Sequence, residues 1–131
     1  MNERSAYWVG LAEYDLETAR AMLETKRFLY VGFMCHQVVE KALKAAFVDA
    51  GGQVPPYSHD LRMLAQRCGI YEQLDESQKE TLDVLGPLNV EARYPTQKER
   101  LLRTLDRARC SELIRRTEGL FQWIQGQLSN E

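Results

Sequence analysis

Apolar residues in this chain recur every three or four positions and almost never in strict alternation. That period is the mark of amphipathic helices. It predicts a first helix from about Glu3 to Glu24, with Trp8, Ala12, Asp15, Ala19, Met22 and Leu23 on one face. A second is predicted from about Phe28 to Ala50. The stretch "AGGQVPPYS" stops it, because paired glycines favour a C-cap and paired prolines force an extended loop. Ser58 is the expected N-cap of a short third helix, "HDLRMLAQRCG", which Gly69 closes. A fourth begins near "DESQKE", with Asp75 or Ser77 as cap, and Pro87 must kink or split it. "EARYP" ends that element, since Pro95 pushes Tyr94 out of the α region. The last helix is expected from about Lys98 to Leu128, with Leu102, Leu105, Leu113, Leu120 and Ile124 on a broad, drifting stripe. No stretch joins period-two alternation to β-branched residues, so no strand is placed. The fold class is all-α, an up-and-down antiparallel bundle of four to five helices.

The 131 residues suffice for one domain, 1–131, and are too few for two comfortable ones. Net charge is −2, so there is no global basic field to hold nucleic acid, and any such contact must come from a local patch. Three distant cysteines, Cys35, Cys68 and Cys110, give neither a disulfide framework nor a zinc spacing and read as reduced thiols. The N-terminus lacks the apolar run of a signal peptide, and no segment approaches the roughly 20 apolar residues that span a bilayer. A soluble protein of the cytoplasm, without membrane contact, is the expectation.

The second helix carries a puzzle. His36, Glu40, Leu43 and Phe47 fall close to one line on its surface at about 100° per residue. Leu43 and Phe47 should face a core, yet two polar residues share their row. His36 and Glu40 read either as a ligand-facing pair or as a satisfied polar pair, with the histidine bonded to a carbonyl or to Glu40 itself. With only His59 left as another histidine, no metal site is expected, and no cofactor. A carboxylate in an apolar row needs a cation or donors, and the candidates are Lys44 on the same helix and Arg93 from "ARYP"; Asp15 makes the same demand from the first helix. His59, Lys41, Lys44 and Arg93 form a candidate ligand-binding set able to hold a phosphate, although His59 also suits a capping role. Arg100, Arg103 and Arg107 share a face that reads more readily as solvated and paired with Glu99 and Asp106. Phe28, Tyr30 and Phe33 read as core or dimer seam. A second apolar arc on the same helix, Met34, Val38, Ala42 and Ala45, suggests a homodimer built through helices.

Four blocks, taken together, resemble the HEPN family, the higher eukaryote and prokaryote nucleotide-binding domain. They are Trp8, Ala12, Asp15, Leu16 and Ala19 in the first helix, "HQVVEKALKA" in the second, "SHDL" (Ser58 to Leu61), and "ARYP" (Ala92 to Pro95). The resemblance implies an up-and-down bundle, frequent homodimers and often a small nucleotidyltransferase partner. Several such proteins are RNases or parts of toxin–antitoxin pairs. RNase-type members carry an arginine, four to six residues, then a histidine. Here neither His36 nor His59 has an arginine at that spacing, so no catalytic residue is assigned. The expected function is a non-catalytic module that binds a nucleotide or a protein. The alternative is an RNase with a diverged site. The same family positions suggest a structural polar cluster of Asp15, His36, Glu40 and Arg93, in which the arginine bridges carboxylates.

Overall fold

The computed structural model describes residues 1–91 and 103–128, and every element among them is helical. Helix α1 spans Glu3–Glu24, α2 Phe28–Asp49, α3 Leu61–Arg67, α4 Glu76–Leu85, α5 Leu88–Glu91 and α6 Arg107–Gln127, with a 3-10 turn at Tyr71–Gln73. Side-chain caps explain most of the starts. Asn2 accepts from Ser5 N, Asp60 from Met63 N and Asp106 from Arg109 N. Asp75 and Gln78 form a reciprocal capping box at α4.

A three-residue link joins α1 to α2 and reverses the chain. Lys26 takes φ 61° there, and Arg27 N donates back to Met22 O, so the turn closes without a glycine. Pro87 has the predicted effect: α4 ends at Leu85 and α5 begins at Leu88. Helix α6 runs in the same direction as α2. The Cys110 thiol lies 3.7 Å from Phe28 O at the start of both helices, and a turn or two later Cys35 meets the Thr117 hydroxyl.

Helix α2 is the axis of the bundle. Fourteen of its 22 residues are buried. Of the arc expected at a dimer seam, Met34 is half-buried, while Val38, Ala42 and Ala45 are each 0% exposed inside this one chain and so cannot face a second. Their small size instead lets α1 approach closely, and Ser5 Oγ donates to Ala45 O at 3.0 Å across that contact. Around α2 pack Leu16, Leu61, Leu64, Leu85, Leu113 and Ile124, and each such side chain taken from water contributes about 1.5–3 kcal/mol. Tyr30 is exposed, while Phe28 packs partly buried against the core.

Two element starts differ from expectation. Helix α3 begins at Leu61 with Asp60 as its cap, while Ser58 Oγ accepts from Asp60 N in the turn before. The last helix begins at Arg107, because Asp106 caps it within a stretch whose apolar period alone looks continuous. The loop between α2 and α3 is laid tightly on the bundle. Gly52 sits so close to Phe47 that a Cβ there would overlap the ring, and the Arg4 guanidinium donates to Gln53 O.

Candidate functional site

The polar row of α2 meets the end of this loop. His36 is fully buried, and its Nε2 donates to the main-chain carbonyl of His59 at 3.0 Å. His59 therefore precedes the helix instead of lying in its first turn, and its carbonyl is free to serve as an acceptor. Its ring returns to the same helix: Nδ1 lies 2.8 Å from Glu40 Oε1. Lys44 donates to the other oxygen, Oε2, at 3.0 Å. Among the described residues, a lysine one turn on and a loop histidine both supply Glu40 with donors, as a carboxylate in an apolar row requires.

His36 and Glu40 make no direct hydrogen bond. Nδ1 and Oε1 are 3.7 Å apart, beyond a hydrogen bond. Gln37 Nε2 instead lies 3.5 Å from His36 Nδ1 and donates to Asn89 Oδ1 at 3.0 Å, which ties the row to α5. The Lys44 ammonium also sits 5.5 Å from the centre of the Trp8 ring. Buried to 7% exposure, it is thus faced by a carboxylate and an aromatic ring. On α1, Asp15 is paired with Lys41.

The predicted residues thus separate into two groups. Glu40, Lys44, His36 and His59 form one connected set, while Asp15 and Lys41 form a neighbouring pair. Arg93, placed in both the ligand set and the polar cluster, lies outside the described residues, as do Arg100, Glu99 and the "ARYP" corner. Arg103 and Arg107 are exposed. Among the described residues no group of three or more metal-ligating side chains comes together.

Three participants carry no signal that single-sequence reasoning can use. Gln37 and Asn89 meet only because Pro87 redirects the chain. Tyr57 is an ordinary loop residue in sequence, yet it is 99% exposed with its ring 6.3 Å from that of His59. Trp8 is legible as part of the α1 face but not as a cover for Lys44.

What the arrangement can do follows from what remains open. Both lysines and the buried histidine are engaged within the chain. The ring of His59 is 45% exposed and has Tyr57 beside it. One histidine edge and one aromatic ring thus face solvent side by side.

Among curated proteins none matches the chain. Among solved structures, the crystal structure of TT1696 from Thermus thermophilus is similar with a TM-score of 0.84, at 21% identity, covering 97% of this chain and 100% of that one. That likeness is one of fold. The HEPN domain family matches residues 5–127, nearly the whole length, and the chain belongs to that family.

Proposed function

We propose that this chain is a non-catalytic HEPN module that binds a nucleotide or a partner protein in the cytoplasm. Its expected partner is a small nucleotidyltransferase, in a stress-related system of toxin–antitoxin type. The observation that supports this best is the engagement of the polar row. Acid–base cleavage needs a proton-transfer group beside a free charge that stabilises the transition state. Lys41 faces Asp15, and Lys44 faces Glu40, so neither described lysine of the site is uncommitted. The absence of the RNase-type arginine–histidine spacing from the sequence points the same way.

A homodimer belongs to this reading. Tyr7 and Tyr14, two turns apart on α1, leave large aromatic rings 64% and 70% exposed on one face. Titration calorimetry with ATP and GTP, together with co-purification against a short nucleotidyltransferase, tests the proposal. Saturable binding or a stable complex is expected. Cleavage of single-stranded RNA that disappears in His59→Ala would replace it with the RNase reading.

A further inference from the structure

The fold decides what each ring nitrogen of His59 can do. Nδ1 faces Glu40 Oε1 at 2.8 Å, and the other oxygen of that carboxylate pairs with the Lys44 ammonium. An ionised carboxylate only accepts, so the Nδ1 atom must carry the proton. In the neutral ring this leaves Nε2 as an acceptor. The backbone of the same residue is held by His36, whose Nε2 donates to the His59 carbonyl at 3.0 Å. Two buried residues of α2 thus fix one half-exposed loop ring at both its main chain and its side chain. Nε2 itself has no hydrogen bond to any described residue.

Beside that edge stands Tyr57, 99% exposed, with its ring tilted 55° to the imidazole. Pro55 and Pro56 precede it, and Ser58 N donates to Pro56 O, so the loop is shaped before any ligand arrives. Ordering a loop in advance lowers the cost of binding.

We propose that His59 Nε2 accepts a hydrogen bond from the exocyclic amino group of a nucleobase that lies against Tyr57. The site then prefers bases whose edge presents an N–H donor, with adenine as the reference ligand. This rests on the nucleotide-binding reading above and adds what selects the base. A preformed acceptor rewards an N–H donor and leaves a ligand without one facing an unsatisfied nitrogen.

The test compares ATP with purine riboside triphosphate, which lacks only the 6-amino group, by titration calorimetry on the full chain. ATP is expected to bind about five- to tenfold more tightly, the share of one neutral hydrogen bond. In His59→Leu that preference disappears. Tyr57→Ala weakens both ligands together, and so exposed a side chain can be removed without harming the fold. Equal binding of the two nucleotides to the wild-type chain, or a retained preference in His59→Leu, overturns the acceptor role and leaves the nucleotide reading standing. Binding of neither nucleotide overturns both. The ligand-side comparison needs no variant, so misfolding does not confound it.

Discussion

His36 and His59 are joined by a bond that involves only one of their side chains: Nε2 of the first donates to the main-chain carbonyl of the second at 3.0 Å. A buried helix residue thereby fixes the backbone of a loop 23 positions away. His36→Phe keeps most of the volume and removes the donor. The expected loss is about 1–2 kcal/mol in urea unfolding, the cost of a part-buried carbonyl left without its partner. Hydrogen exchange should quicken across residues 51–60 and stay unchanged in α6. Uniform exchange in the variant would show that His36 is merely packed.

Glu40 and Lys44 depend on each other. Replacing Glu40 with Leu leaves a buried ammonium facing only the Trp8 ring and should cost about 3 kcal/mol. Adding Lys44→Met removes the stranded charge and should recover much of that loss. The coupling is read from a double-mutant cycle of urea midpoints. Additive losses would mean that the two residues act independently.

The cysteines should differ sharply in reactivity. Burial pushes the Cys35 thiol up to about 12 and Cys110 up to about 11. Burial also raises Cys68, opposed there by the Ile70 backbone N–H. In the native protein iodoacetamide should modify Cys68 first, and Cys35 and Cys110 only on unfolding, as peptide mass spectrometry would show. The stability consequence has a definite sign. A thiol at about 8.5 when unfolded and higher when folded stabilises fully below pH 8.5, and the contribution fades as pH climbs towards 12. Cys35→Ala should therefore flatten the loss of stability above about pH 9 relative to wild type.

Two helical glycines should respond to alanine in opposite ways. A Cβ on Gly119 meets nothing within 4 Å, so Gly119→Ala should add about 1 kcal/mol and raise Tm by about 4 °C. A Cβ on Gly32 falls 2.9 Å from Leu88 Cδ1, where α5 crosses α2. There the gain in propensity is offset by crowding, and Gly32→Ala should be neutral or destabilising until Leu88→Ala makes room. Thermal unfolding of the single and double variants checks both.

The helices are largely legible in sequence because their apolar period is strong and Pro87 and the paired glycines punctuate it. Starts are harder. Ser58 and Asp60 are both good caps two residues apart, and only the fold shows that Asp60 is used, which moves His59 out of the helix. Asp106 is hidden because Leu102, Leu105 and Leu113 continue an apolar stripe across it. The arc of Val38, Ala42 and Ala45 is plainly apolar in sequence, but periodicity cannot say which neighbour covers it. For Glu40, the sequence points to a need for donors, to Lys44 and to Arg93, and the arginine lies outside the described residues. His59 as the second donor requires the tertiary return of a loop.

That loop has an unexpected resistance built into it. Val54 and Tyr57 are 78% and 99% exposed and look like ready targets for a protease. A protease must draw an extended stretch of backbone into its cleft, and this backbone is fastened at Gln53 by Arg4, at Gly52 by the Phe47 ring and at His59 by His36. Chymotrypsin should therefore spare Tyr57 in the native chain, and cutting there would report release of His36 rather than exposure of the tyrosine.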